Sequence, residues 1–203
     1  MPKVSQEHFT AQREAILQSA IRCFAKRGFH RTTMRDVIFD SGMSAGALYS
    51  YFKSKDELIE AIANDRHLRE RQWMTESIQQ EDLASSLRAL LTVFGRALMD
   101  RKQREDRRLS VQLWAEALSN KRVWKSVKAG VDTPRDLLAS LFKRAQKSGE
   151  FPKSLDCQAT AQVLIALFQG LVLQLAWDPE VAIPPYVKAA ETMLFTLIDQ
   201  ARD

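Results

Sequence analysis

The apolar residues of this chain recur at spacings of three and four, and alternation at a period of two is absent. That leaves the α-helix as the only regular element from which a core can be assembled. With 203 residues, 45% of them apolar and 27% charged, the chain is long enough to bury a full core without disulfides or metals. The expected class is therefore all-α, with nine or ten helices and no repeat or low-complexity linker.

Punctuation residues set the boundaries. A first helix is expected from about Thr10 to Arg27, with Ile16, Leu17, Ala20, Phe24 and Ala25 as its apolar stripe and Gly28 as a left-handed cap. Thr33 and Asp36 have the spacing of a capping box for a second helix, which Gly42 ends. Met43 alone separates that glycine from Ser44, a good cap for a third, short helix that stops near Phe52. A second capping box, Ser54 with Glu57, opens a long helix to about Ile78. Two short helices joined by a tight glycine turn are helix-turn-helix punctuation. Longer helices follow at Asp82–Met99, Glu105–Leu118, Asn120–Ser148, Cys157–Trp177 and about Tyr186–Ala201. Pro134 is expected to kink or split the third of these.

Charge is unevenly placed. The net charge is +5, and residues 1–55 hold nine Lys and Arg against four Asp and Glu, so the whole surplus lies in the first quarter of the chain. A basic segment on a neutral body is the footprint of a polyanion binder. Cys23 and Cys157 are far apart in apolar surroundings and read as core residues, with no metal spacing around them. The three histidines, His8, His30 and His67, stand beside no plausible nucleophile, and no phosphate loop or dinucleotide fingerprint occurs. We expect no catalytic residues, no metal and no cofactor. The N-terminus has no signal-peptide run, so a cytoplasmic chain is expected. Cys157–Trp177 is 21 residues without a charge, but Gln158, Gln162 and Gln169 fall within about 40° of each other on a helix. One amide stripe with apolar flanks suits a soluble core or a subunit contact better than a bilayer.

The segment Ile16–Ile59, "ILQSAIRCFAKRGFHRTTMRDVIFDSGMSAGALYSYFKSKDELI", resembles the tetracycline-repressor-like (TetR) family of bacterial transcription regulators. Phe24 with Gly28-Phe29, Thr32-Thr33, the Ser41-Gly42-Met43-Ser44 turn and the run Gly46-Ala47-Leu48-Tyr49 through Tyr51-Phe52 to Ser54-Lys55 carry the resemblance. It departs from the family pattern at Ser50, where an aromatic is common, and at Tyr51, where histidine is frequent. The resemblance implies a DNA-binding domain at residues 10–70, with its helix-turn-helix at 33–52, and a C-terminal ligand-binding and dimerisation domain at 71–203. It also implies a homodimer on double-stranded operator DNA, and repression relieved by a small-molecule effector not identified by the sequence. A helical small-molecule-binding protein without a DNA role, or an enzyme, are the alternatives.

Residue chemistry assigns roles within that frame. Thr33, Ser44, Tyr49, Tyr51 and Lys55 are expected on phosphates, Ala45 and Gly46 let the backbone approach, and Arg35 reaches base or backbone, with His30 and Arg31 in support. Leu48 and Phe52 are expected in the core and Lys53 in solvent. The third helix has no Arg, Lys, Asn or Gln, so discrimination falls to Arg35, to methyl contact by Ala45 or Ala47, and to hydroxyls at Ser44 or Ser50. For the subunit contact we expect Leu164, Phe168, Leu171 and Leu175 on one helix with Met193, Leu194 and Leu197 on the next. For a ligand pocket we expect Trp73, Phe94, Trp114 and Gln169.

Overall fold

The computed structural model describes residues 6–100 and 104–200, and among them the regular elements are nine α-helices. These are α1 (Gln6–Arg27), α2 (Met34–Ser41), α3 (Ala45–Tyr51), α4 (Lys55–Ser77), α5 (Leu83–Met99), α6 (Arg104–Glu116), α7 (Lys121–Ser148), α8 (Cys157–Trp177) and α9 (Ile183–Gln200). The chain divides into two compact units. Unit 1 takes the residues up to Asp65 together with Glu105–Val127, and unit 2 takes Arg66–Arg104 with Lys128 onward. Unit 1 gives way to unit 2 within α4, between Asp65 and Arg66. The segment Glu105–Val127, expected in the C-terminal domain, packs with the N-terminal helices instead, because Leu109, Leu113, Ala117 and Val123 join their core.

In unit 1, Ile16, Leu17, Ala20 and Phe24 of α1 meet Val37 of α2, Leu48 of α3 and Leu58, Ile59 and Ile62 of α4. Gly28 adopts φ +78° and turns Phe29 back so that its ring meets Phe24 edge-on, with centroids 4.8 Å apart. That is the left-handed helix stop with its hydrophobic contact. Arg13 pairs with Asp65 at 3.0 Å and Arg22 with Asp40 at 2.6 Å, tying α1 to α4 and to α2.

In unit 2 the core gathers Leu83, Leu87 and Leu90 of α5, Leu138, Leu141 and Phe142 of α7, Ala161 of α8, and Leu194 and Ile198 of α9. Phe142 and Phe151 stack at 4.7 Å. Asp82 and Asp156 cap α5 and α8 by accepting the Ser85 and Ala159 backbone N–H groups. The helix α8 has the length and composition to cross a bilayer. It nevertheless buries Ala161, Leu171, Val172 and Leu175 within the chain.

Pro134 does not split its helix. The helix α7 runs unbroken through it. The Gly130 carbonyl loses its N–H partner, and the apolar face that follows, from Leu138 to Ala145, outweighs that single bond. The His67 imidazole lies on the backbone of Gly130, so that a Cβ there would collide with the ring. Burial holds His67 below its ordinary pKa.

Candidate functional site

The helix-turn-helix is built by local hydrogen bonds. Thr33 Oγ1 accepts the Asp36 N–H at 3.3 Å, and Asp36 Oδ2 accepts the Thr33 N–H at 2.8 Å, which completes the capping box. Asp36 also pairs with Arg27. The Thr33 backbone N–H, its hydroxyl and then Arg27 hold the Asp36 carboxyl below the usual carboxylate range. Gly42 ends α2 at φ +68°, a conformation that glycine adopts without strain. Two residues on, Ser44 caps α3 by accepting the Ala47 N–H at 3.2 Å.

Beyond this turn, α3 shows an unusual surface. Leu48 is its one buried side chain, and Ala45, Gly46 and Ala47 are all exposed. A Cβ placed on Gly46 would meet nothing within 4 Å. Tyr49 is 41% exposed, and its hydroxyl has no partner among the described residues. Tyr51 is half-buried with its ring against Phe9, centroids 4.7 Å apart.

The cations of this region divide into two groups. Arg13, Arg22 and Arg27 are paired with carboxylates. The Lys53 ammonium donates to the Tyr49 carbonyl at 2.6 Å, and the Lys55 ammonium to the Phe29 carbonyl at 2.7 Å. Lys55 is therefore a tie between the start of α4 and the end of α1 as well as a candidate phosphate contact. Likewise the Thr33 hydroxyl already donates to Asp36 at 2.8 Å. Among the described residues Lys26, Arg31 and Arg35 are exposed and have no ion-pair or hydrogen-bond partner. His30 is exposed, with Nε2 3.6 Å from Glu116.

Sequence reasoning missed Phe39. It is 91% exposed and stands one helical turn after Arg35 on α2, so the two share a face. The i, i+4 spacing to Arg35 was the signal that could have found it. The second capping box is also displaced. Ser54 accepts the Glu57 N–H at 3.2 Å, but the Glu57 carboxylate accepts from Lys53 N–H at 2.6 Å rather than from Ser54.

Unit 2 contains a cavity of about 100 Å³, walled by α4, α5, α7, α8 and α9. Of the four residues expected in a pocket, Phe94 lines it, its ring edge-on to Phe168 with centroids 4.1 Å apart. Trp73 packs against the core of unit 2, Gln169 is half-buried outside the lining, and Trp114 belongs to unit 1. The walls are mostly aliphatic, and tryptophan content gave no guide to them. Tyr186, also on the wall, donates its hydroxyl hydrogen to the Leu167 carbonyl at 2.8 Å.

The seven residues expected at a subunit contact separate in the same way. Leu164, Phe168 and Leu194 line the cavity, and Leu171 and Leu175 are sealed in the core at 0% and 2% exposure, with no surface left for a partner. Met193 and Leu197 on α9 are exposed, and on α8 the exposed apolar side chains are instead Val163 and Trp177. Positions 163 and 177 lie four helical turns apart, within about 40° of one another.

Residues 16–62 match the family described as bacterial regulatory proteins, tetR family, and residues 87–201 match the C-terminal region of BetI-type transcriptional repressors. Over 65 residues, 32% of its length, the chain is 45% identical to the HTH-type transcriptional repressor Rv1474c of Mycobacterium tuberculosis, and the match spans 35% of that protein. The structure of GusR from Salmonella enterica superposes with a TM-score of 0.76 at 30% identity, covering 97% of this chain and 99% of that one. SmeT of Stenotrophomonas maltophilia, solved as a complex with triclosan, has the same fold, with a TM-score of 0.79 at 22% identity over 92% of this chain and 91% of its own.

Proposed function

Because this chain belongs to the tetR family of bacterial regulatory proteins, we propose that it is a repressor which binds a palindromic operator as a homodimer and releases it when a small molecule enters the unit 2 cavity. As a transcriptional regulator it carries out no catalysis.

The observation that carries the DNA reading is the bare face of α3. Glycine in a helix interior is less stable than alanine by roughly 0.5–1 kcal/mol, and nothing inside the chain needs the space at Gly46. A sugar–phosphate backbone approaching α3 would use that space. Around this face Ser44, Ala45, Ala47 and Tyr49 position the unit. Arg35, unpaired and exposed, supplies the side chain able to read a guanine edge. Tyr51 contributes a hydroxyl from a ring held by Phe9. Lys55 and Thr33 act on phosphate through what their internal bonds leave over. Two such units would face half-sites about one helical turn apart.

The exposed apolar side chains of α8 and α9, Val163, Trp177, Met193 and Leu197, support pairing with a second copy. The cavity supports an effector, as does the triclosan complex of SmeT. A ligand that binds more tightly to one conformation of the chain shifts the population toward it and, by linkage, changes affinity for DNA.

The test is fluorescence anisotropy on the chain's own upstream DNA over a range of salt. Arg35→Ala is expected to flatten the preference among operator variants, and Tyr49→Phe to weaken binding to all of them about equally. Operator affinity that survives both changes would sink the interface. Operator variants with lengthened or shortened spacers also give the half-site spacing directly.

A further inference from the structure

Resting on the effector-cavity reading above, we propose that the unit 2 cavity takes an uncharged, largely hydrocarbon molecule of about one ring and rejects cations and anions of the same shape. Among the described residues fourteen side chains line it, and of these Tyr186 alone brings an oxygen or nitrogen atom to the wall. That hydroxyl already donates to the Leu167 carbonyl at 2.8 Å, and burial pushes the phenol above its ordinary pKa, so it offers no negative charge.

The charged groups nearest in sequence to the lining are already engaged. Glu191, next to the lining residue Ala190, accepts from Arg88 at 3.3 Å and from Lys188 at 3.0 Å, and the Arg88 guanidinium stands 4.9 Å from the Phe195 ring centre. Among the described residues the lining holds no carboxylate to neutralise a cation and no ammonium or guanidinium to neutralise an anion.

The aromatic pair does not change this balance. Phe94 and Phe168 meet edge to face, so one ring already has its face against the other's edge. A cation–π contact returns less than the cost of taking a charge out of water without a partner. Neutral apolar ligands face no such penalty; an aliphatic cavity of ~150 Å³ holds benzene, and this one, at about 100 Å³, is smaller but open on one side, so a single ring is the most it admits.

Three probes of nearly one shape separate the possibilities: toluene, N-methylpyridinium and benzoate. Each is titrated into the full-length chain without DNA, with thermal unfolding and calorimetry as readouts. Toluene is expected to raise the midpoint of unfolding and to bind at least about tenfold more tightly than either ion. Ala190→Leu, which fills the cavity, is expected to remove the toluene effect while leaving the helical circular dichroism intact. Should that variant fail to fold, Val187→Ile is read in its place. The proposal is overturned if either ion binds within tenfold of toluene, if toluene does not bind, or if the folded filling variant binds toluene unchanged. Operator release is measured separately. Toluene binding without release keeps the ligand class and removes the effector role, whereas release by an ion alone does the reverse.

Discussion

Two helices of this chain carry no charge at all, α3 and α8, and they lack it for opposite reasons. In α3 the residues are small or hydroxylated, all but Leu48 are at least partly exposed, and the exposed Ala45–Ala47 run leaves open backbone. In α8 the residues are large and are divided among three directions: Leu171, Val172 and Leu175 to the core, Leu164, Leu167 and Phe168 to the cavity, Val163 and Trp177 to solvent. An uncharged helix is therefore not one kind of object. Side-chain size decides whether missing charge means close approach by a partner or division of apolar surface among several neighbours.

The largest expected effect breaks the α8 side of this contrast. Leu171→Ala, at a fully buried position, should lower unfolding free energy by about 2–5 kcal/mol in urea titration. A loss under about 1 kcal/mol would mean the core sector of α8 is misassigned. Next, Leu197→Glu should shift the protein from dimer to monomer in sedimentation with unchanged helix content. A persistent dimer would move the contact away from α9. On the other side, Thr33→Ala removes the α2 cap and should cost about 1 kcal/mol. Gly46→Ala should do the reverse for the chain, stabilising it by roughly 0.5–1 kcal/mol, while weakening operator binding. A variant that is more stable and binds DNA as well as before would end the argument that the bare face serves a partner.

The smallest expected effect is on acid stability. The folded state holds Asp36 below 3.8, its ordinary value. The unfolded chain thus takes up the proton first, and the stabilisation from Asp36 is complete above that value and lost as pH falls through the depressed one. Asp36→Asn should flatten the stability profile in that window by lowering stability near neutrality while leaving the acid end unchanged.

The contrast also explains which features could be read from the sequence. The helix-turn-helix is written in local signals, so Thr33, Asp36, Gly42 and Ser44 gave the limits of α2 and the start of α3 to the residue. Each of those roles needs partners no more than four residues away. The apolar residues of α8 and α9 have no such code. Leu164, Leu171 and Val163 are chemically alike, and only neighbours distant in sequence send them to cavity, core and surface. The same long-range packing put Glu105–Val127 with unit 1. It also carried α7 through Pro134, where a local rule predicted a break.

The contact between His67 and Gly130 sets the order in which the chain can change. Gly130→Ala is a favourable substitution for a helix interior, yet it requires the imidazole that occupies the space of the missing Cβ to move aside. Once His67 is reduced to alanine, the same change becomes permissible and the chain gains helix propensity. The return to histidine is then closed by the new methyl group. Two substitutions at half-buried positions are thus coupled, and the order that removes the ring first spares the chain the displaced imidazole.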